Sequence, residues 1–222
     1  AEGVFGDPSG ALYFGGEDAI FFGGIELPDV TTICLWMDPD EVHDFAFGAT
    51  FPSGIAAKFD FKGEEGEITV LLRSSPTDSF LLSTTKSVTE QFFDGDWHQI
   101  CYRWDVLVGT GDIFLDGRLW PSSVSTLGAP VMSATPLPQW YIGAAYDGQL
   151  GIPVSHYKGR LDEMLVANRN MTVGELEAYY YSNSPFATPL LPGAQPDFDD
   201  VRIVDEGYEG TPVYRRNRIV GV

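Results

Sequence analysis

The fold is decided by Asp-Trp-His-Gln-Ile-Cys-Tyr-Arg-Trp-Asp at residues 96–105, together with Thr-Thr-Ile-Cys-Leu-Trp-Met at residues 31–37. Both stretches are rich in β-branched and aromatic residues and are bounded by turn formers, which is typical of β-strands. Each carries one cysteine, Cys34 or Cys101, and the chain has no others. This pattern predicts an internal disulfide across a β-sandwich, formed in an oxidising compartment. Two separate buried thiols are the alternative, because free cysteine is among the most buried residue types.

The composition agrees with one extracellular all-β domain. The chain has 222 residues, of which 14% are aromatic, and its 25 glycines and 15 prolines supply many turns. No apolar run approaches the roughly 18 residues of a membrane span. The chain begins at Ala1 rather than Met, so we expect a secreted protein from which a signal peptide has been removed.

The charge balance limits the possible partners. Asp and Glu number 32 against 13 Lys and Arg, a formal net charge of −19. Such a surface repels nucleic acid and anionic membranes, so neither is an expected partner. The carboxylates are interpreted either as a solvated surface or, in part, as ligands for calcium, which prefers oxygen.

Short alternating segments recur along most of the chain. Ile55–Lys62 and Glu67–Arg73 alternate apolar and polar residues, and the Gly-rich stretch 63–66 between them predicts a hairpin turn. Val88–Phe93 is also expected to be a strand. Strands at roughly ten-residue spacing predict an all-β, two-sheet antiparallel jelly-roll sandwich.

One short C-terminal helix is predicted after residue 172. Thr172-Val173-Gly174-Glu175 is a capping box, in which the hydroxyl and the carboxylate satisfy backbone N–H groups reciprocally. The helix is expected to end near Asn183. We therefore expect a jelly-roll domain over residues 1–182 and an extended tail over residues 183–222.

Several motifs in the chain resemble those of one group of domains. Ala11–Asp18 and Thr32–Trp36 resemble the opening strands of pentraxin and laminin-G-like (concanavalin A-like) jelly-roll domains. Trp97–Trp104, followed by Ile113–Gly117, is similar to their core pattern WHxICxxW…xxLDG. Gly159–Met164 is similar to their closing strand.

The resemblance covers residues 11–182 and carries functional expectations. It implies a disulfide between Cys34 and Cys101, where pentraxins place theirs. It also implies a secreted, non-catalytic recognition or adhesion module, lectin-like and self-associating, whose partners are extracellular glycans, proteins or further copies of itself. A structural subunit of an extracellular filament or coat is the alternative, and a carbohydrate-active enzyme is the third interpretation.

Calcium is expected as a structural ion from the same resemblance. Related sandwiches hold one ion between the first tight turn and the closing strand, and the matching residues here are Gly16, Glu17, Asp18 and Asp162. Of the two-calcium site typical of pentraxins, only Glu65 and Asp147 keep ligand chemistry, so that site is a weaker expectation. The alternative is a solvated turn at 17–18 and an Asp162 that accepts nearby N–H groups.

Catalysis finds little support in the sequence. The chain has no Gly-x-Ser-x-Gly elbow, and its three histidines are not at metal-ligand spacing. The acidic run 64–67 is the nearest match to the paired carboxylates of a glucanase, and it is interpreted as a solvent-facing turn. No enzyme is therefore predicted.

A saccharide site would need exposed aromatic side chains, for which the candidates are Trp120, Trp140, Tyr141 and Tyr146. Core packing is an equally good explanation of Trp140 and Tyr141, so Trp120 and Tyr146 are the residues that we predict.

Two further features concern modification and assembly. Asn170-Met171-Thr172 is an N-glycosylation sequon just before the helix. In the tail, residues 201–204 and 218–220 have the composition of strands that add to a sheet edge. The tail carries basic residues that would meet an acidic body: Arg202, Arg215, Arg216 and Arg218. The tail is therefore expected to be an assembly arm or to dock on its own domain.

Overall fold

A computed structural model describes residues 10–25, 27–63, 65–133 and 137–183. The strands are β1 (Leu12–Gly15), β2 (Ile20–Ile25), β3 (Val30–Pro39), β4 (Phe45–Thr50), β5 (Ala56–Lys62), β6 (Glu67–Ser75), β7 (Asp78–Thr84), β8 (His98–Asp105), β9 (Thr110–Leu115), β10 (Arg118–Trp120), β11 (Ser122–Leu127), β12 (Leu137–Ile142), β13 (Ala145–Asp147), β14 (Ile152–Val154) and β15 (Lys158–Ala167). The helices are α1 (Thr89–Phe92) and α2 (Val173–Asn183).

Two large sheets form the body of the molecule. The six-stranded sheet has the order β1-β15-β3-β8-β9-β10, and the seven-stranded sheet has the order β11-β7-β6-β5-β4-β13-β14. A small sheet pairs β12 with β2. Among the described strands, every pairing is antiparallel except that of β13 with β4. The predicted two-sheet jelly-roll sandwich is confirmed.

The core lies between the two large sheets. Phe59 of the seven-stranded sheet packs against Tyr102 and Trp104 of the six-stranded sheet, with ring centroids 5.1 and 6.0 Å apart. Its strand neighbours Lys58 and Asp60 point the other way and form an ion pair, as the two-residue period of a strand requires. Burying one large aromatic side chain contributes about 2–3 kcal/mol, so this layer stabilises the fold.

The disulfide differs from the prediction in its position. Cys34 and Cys101 are bonded and lie directly opposite each other on the adjacent strands β3 and β8. The bond therefore lies within the six-stranded sheet rather than across the sandwich. Both sulfurs are on the outer face of that sheet, in an apolar cluster with Phe114 and with Leu176 of α2. The helix thus covers the disulfide.

The predicted capping box holds the start of α2. The Glu175 N–H donates to the Thr172 hydroxyl at 3.2 Å, and the Thr172 N–H donates to the Glu175 carboxylate at 2.6 Å. Hydrogen bonds from Arg169 and from the Thr172 N–H lower the pKa of Glu175 to about 2. Further along the helix, the Tyr180 ring stacks on Trp36 at 5.5 Å. The cap and this stack fix the helix on the sheet.

The expectation of a strand over Val88–Phe93 is wrong. The segment contains α1, a single helical turn, whose residue Phe92 is buried together with Val88. Residues four apart share one face of a helix, so the spacing of these two apolar residues fits a helical turn. No helix in the described ranges is long and apolar enough to span a membrane. The tail beyond Asn183, with the four arginines assigned to assembly, lies outside the described residues.

Candidate functional site: an exposed aromatic strip

Four aromatic side chains form a continuous row on the surface, which we call the aromatic strip: Phe21, Tyr141, Tyr146 and Phe51. The rings of Tyr141 and Tyr146 stack with centroids 5.3 Å apart and planes inclined by 7°. Phe21 lies 5.5 Å from Tyr141 at one end, and Phe51 lies 6.4 Å from Tyr146 at the other. The Phe21 side chain is 53% exposed, whereas the two tyrosines are half-buried. The strip therefore has one largely exposed ring and three partly exposed rings.

The small sheet positions one half of the strip. Tyr141 on β12 is directly opposite Phe21 on β2, which brings their side chains to the same face. The neighbouring Trp140 points the other way and is only 3% exposed, with its ring 5.6 Å from that of Phe59 in the core. Alternation along the strand thus separates a core residue from a surface residue at adjacent positions.

A tight turn at Gly143 positions the other half. Gly143 has a φ of +85°, and a Cβ there would collide with the Phe14 ring, so this position needs glycine. The turn returns the chain into β13, where Tyr146 lies opposite Pro153 and Ala49. Two tyrosines five residues apart are therefore stacked by a turn that only glycine allows.

The surroundings of the strip are apolar or already hydrogen-bonded. Burial and the neighbouring Tyr146 raise the pKa of Tyr141, a phenol that is protonated at neutral pH even at its ordinary pKa of about 10. The Asp147 carboxylate accepts the N–H groups of Gln149 and Leu150 at 2.8 and 3.1 Å. Leu150 and Ile152 on the adjacent hairpin are exposed. An apolar surface with a few hydroxyl donors is suited to binding an uncharged ligand.

The predicted calcium ligands are not brought together. Gly15 pairs with Lys158 and Leu12 pairs with Leu161, so the turn at 16–18 and Asp162 lie at opposite ends of β1. Three to four residues of strand separate them by roughly 10–13 Å. The Asp18 carboxylate accepts the Gly15 N–H at 2.7 Å, and the buried Asp162 carboxylate accepts the Glu163 N–H at 2.8 Å. These residues do not fit one shared ion.

The weaker calcium pair is also separated. Glu65 lies in the turn between β5 and β6, next to the Phe45 end of β4, whereas Asp147 pairs with Thr50 at the other end. In the described part of the chain, no three acidic, histidine or cysteine side chains gather as a metal site. Calcium binding itself stays a prediction.

The remaining predicted residues lie outside the aromatic strip. The Trp120 ring is half-buried and donates its Nε1–H to the Lys86 carbonyl at 3.2 Å, so it anchors a loop. Asn170 is half-buried, and its Oδ1 is buried without a hydrogen-bond partner among the described residues. The hydroxyl of Thr172 in the sequon accepts the helix cap described above. Glycosylation at Asn170 stays a prediction.

One buried histidine has both ring nitrogens engaged. His98 Nδ1 lies 2.8 Å from the Asp116 carboxylate and Nε2 lies 2.9 Å from the Asp94 carboxylate. Burial lowers the pKa of His98, but the hydrogen bonds to the two carboxylates outweigh burial and raise it to about 9. A protonated imidazole with two occupied donors has no lone pair for a metal or a substrate proton. The cluster is a structural clamp.

Of the four strip residues, only Tyr146 was predicted from the sequence; Tyr141 was explained at least as well by core packing, and Phe21 and Phe51 were not predicted. A ligand-binding role for Tyr146 stays a prediction. Phe21 and Phe51 lie in ordinary apolar segments, Ile20-Phe21-Phe22 and Thr50-Phe51-Pro52. The sequence does indicate that Trp140 and Tyr141, as neighbours in a strand, point to opposite faces of the sheet. Which of the two faces solvent depends on how the small sheet packs against the body, and the pattern alone does not contain that information.

The comparisons with known proteins agree on the fold. The family model described as the concanavalin A-like lectin/glucanases superfamily matches residues 14–177. No curated protein matches the chain. A heptameric SAP-like pentraxin from Limulus polyphemus is similar at 15% identity and a TM-score of 0.53, over 78% of this chain and 82% of the pentraxin.

Two further solved structures are similar to the same extent. The CBM40 module of the Ruminococcus gnavus IT-sialidase has 12% identity and a TM-score of 0.55, over 72% of this chain and 98% of the module. That module has also been solved bound to α2,6-sialyllactose. Domains LG4-5 of the mouse laminin α1 chain have 13% identity and a TM-score of 0.53, over 74% of this chain and 44% of the laminin fragment. At these identities the likeness shows the fold alone.

Proposed function

Because the chain belongs to the concanavalin A-like lectin/glucanases superfamily, we propose that it is a non-catalytic recognition module that binds an uncharged saccharide on the aromatic strip. The observation that carries the proposal is the row of four aromatic rings at the surface, with Phe21 53% exposed. Contiguous exposed apolar patches mark ligand-binding grooves and other interaction sites.

The chemistry of the strip favours a sugar ring. One face of a pyranose consists mainly of C–H groups, which gain dispersion energy and shed water against an aromatic ring such as Phe21. The protonated phenol of Tyr141 is a hydrogen-bond donor for the ring hydroxyls. Neither contact requires a charge on the ligand.

The electrostatics disfavour an anionic ligand. Glu17 and Asp18 are exposed just before the strand that carries Phe21, and the whole chain has a net charge of −19. A sialylated or uronate-bearing glycan would meet this field at a site whose own residues supply no cation. The ligand proposed here therefore differs in charge from the sialyllactose bound by the Ruminococcus module.

The absence of paired carboxylates supports a binding role rather than hydrolysis. A glycosidase needs two carboxyl groups about 5–9 Å apart on either side of the scissile bond. Within the described residues of the strip and its hairpin, the one carboxylate is Asp147, which accepts two backbone N–H groups. The strip is equipped to hold a saccharide and not to cleave it.

The setting we propose is extracellular. Laminin G-like domains are typically extracellular, and the Cys34–Cys101 disulfide is the kind that persists in oxidising compartments. The role as a structural subunit of a filament or coat, assembled through the arginine-bearing tail, is the alternative proposal. Calcium binding, proposed as a source of stability, is tested by comparing Tm with calcium and with a chelator.

Binding is tested by calorimetry with the full chain and a panel of neutral and sialylated oligosaccharides. We expect a neutral member to bind, and we expect Tyr146→Ala and Phe21→Ala each to weaken binding by about tenfold or more, equivalent to about 1.4 kcal/mol. The matched control is Tyr13→Ala, because Tyr13 is also 53% exposed but contacts Asp40 elsewhere on the surface. An equal loss with Tyr13→Ala, a preference for sialylated sugars, or no binding at all would overturn the proposal.

A further inference from the structure

We propose that β11 is an assembly edge at which a second copy of this chain pairs strand to strand. The inference is independent of the saccharide site, which lies on other strands. It rests on how the free edges of the two large sheets differ, on the charge of the surface around β11, and on the symmetry that two copies of one strand allow.

Of the four outer strands that the two large sheets have in the described residues, β11 alone is long and lacks the usual protection. An exposed edge strand offers unpaired N–H and C=O groups to another strand, and proteins blunt such edges with short length, proline, charge or bulges. β14 has three residues including Pro153, β10 has three including Arg118, and β1 has four. β11 has six residues, Ser-Ser-Val-Ser-Thr-Leu, with no proline or charge. Its register with β7 is unbroken over all six.

The surface beside this edge is uncharged in a strongly acidic chain. β11 and β7 together contain one ionisable residue, Asp78. That carboxylate accepts the Ala129 N–H and the Ser75 hydroxyl, so it is used to fix a loop. Leu127 is 60% exposed on the outer face, and Leu81 on β7 is exposed beside it. A second copy of the chain also carries a charge of −19. It can approach this uncharged edge without the close like-charge contacts that it would meet at an acidic part of the surface.

Two copies of β11 are geometrically compatible across a two-fold axis. In an antiparallel pair, residues directly opposite each other point to the same face. When β11 pairs with a second β11, the numbers of two opposite residues must therefore be both even or both odd, so that their sum is even. An axis at Val124 or Ser125 satisfies this condition. With the axis at Val124, Ser123 of one copy is opposite Ser125 of the other; with the axis at Ser125, the two Ser125 residues are opposite each other and Ser123 is opposite Leu127. In both registers Val124, which packs against the core, extends the inner layer. Seven strands from each copy would form one continuous sheet.

The test is sedimentation velocity of the full chain over a range of concentrations, with variants on and off the edge. We expect a monomer–dimer equilibrium whose Kd rises by about tenfold or more in Ser125→Lys, because the two lysines would be directly opposite (axis at Ser125) or diagonal (axis at Val124) across the strand pair, where like charges repel. Ser53→Lys is the matched control, since Ser53 is an exposed serine in the turn after β4 and the change in charge is identical. Ser123→Lys repeats the test in case Ser125→Lys lowers Tm.

Amide hydrogen exchange gives a second readout. The outward N–H groups of β11 should exchange more slowly as concentration rises, in an alternating pattern along the strand. Protection that is independent of concentration in a monomer would mean that the edge is occupied by the chain's own tail, and would overturn the proposal. A monomer with unprotected β11 amides, or a dimer that Ser125→Lys does not weaken, would also overturn it. Saccharide binding by Ser125→Lys is expected to be unchanged, which separates this test from that of the aromatic strip.

Discussion

The six-stranded sheet has both of its faces covered, whereas the seven-stranded sheet is packed mainly on one. In β3, nine successive residues after Val30 are buried, but in β6 buried residues alternate with partly exposed ones. The difference comes from α2 and the disulfide, which cover the outer face of the first sheet. The outer face of the second has no such helix in the described residues. We infer that one outer face supplies stability and that the other is left available for contacts.

Among changes to the covered face, removing the disulfide should lower the free energy of unfolding most. Cys34 and Cys101 are 67 residues apart in sequence, and closing a loop of that length restricts the unfolded chain by about 4 kcal/mol in the chain-entropy model. The Cys34→Ala/Cys101→Ala variant should lose about that much free energy of unfolding, as measured by urea denaturation. A loss well below 1 kcal/mol would show that the covered face does not depend on its cross-link.

Truncating the helix side chain over the disulfide should have the next largest effect. Leu176 is fully buried in the cluster with Cys34 and Phe114. Leu176→Ala removes that packing and leaves a cavity, at a cost of about 3 kcal/mol. Denaturation followed by near-UV circular dichroism measures the loss. If the variant unfolds at the wild-type urea midpoint, then α2 is not a fixed part of the sheet's outer face.

The His98 clamp holds a turn that contacts α2, the helix on the covered face. Asp116 and Gly117 form the turn on which Tyr180 of α2 rests, since a Cβ at Gly117 would contact Tyr180 at 2.8 Å. The pKa of His98 is about 9 in the folded protein and about 6.5 when unfolded. The clamp is therefore fully stabilising below about pH 6.5, and its contribution is lost as the pH rises through about 9.

His98→Gln tests the clamp by its dependence on pH. The variant should lose about 2 kcal/mol of unfolding free energy near pH 6 and much less near pH 9.5, because the wild type loses the charge there too. Urea denaturation at both pH values gives the comparison. An equal loss at the two values would mean that the histidine acts through its shape and not through its charge.

The sequence predicted the covered face better than the open one. The cysteines, the Trp97–Trp104 motif and the capping box are local signals with fixed spacing, and each lies in the sheet or the helix that covers it. The disulfide was placed across the sandwich because nothing local says which strands are neighbours within a sheet. Pairing of β3 with β8 is a contact between segments more than 60 residues apart.

The candidate site was predicted only in part, for a related reason. Tyr146 was predicted as an exposed aromatic residue, but Phe21, which packs on Tyr141, comes from β2, and Phe51, which packs on Tyr146, comes from the turn after β4. The calcium ligands were assigned by resemblance, and the register of β1 with β15 separates them. A site assembled from several strands depends on register and packing, which a single sequence does not specify.

Removing the helix cap should lower the free energy of unfolding by a smaller amount. Thr172→Ala deletes the hydroxyl that accepts the Glu175 N–H, and a lost N-cap costs about 1 kcal/mol. Thr172→Ser keeps the hydroxyl and is the matched control. The urea midpoint of each variant measures the difference, and equal midpoints for Ala and Ser would show that tertiary packing alone holds the helix.

The smallest effect is expected on the open face, from the same change of leucine to alanine. Leu81 lies on the outer side of β7 and is 37% exposed, so it loses little packing and leaves no enclosed cavity. Leu81→Ala should cost about 0.5 kcal/mol, against about 3 kcal/mol for Leu176→Ala. Measurement at low protein concentration keeps any self-association out of the comparison. A cost for Leu81 as large as that for Leu176 would mean that the outer face of the seven-stranded sheet is also covered in solution, and the division between a stabilising face and an available face would fail.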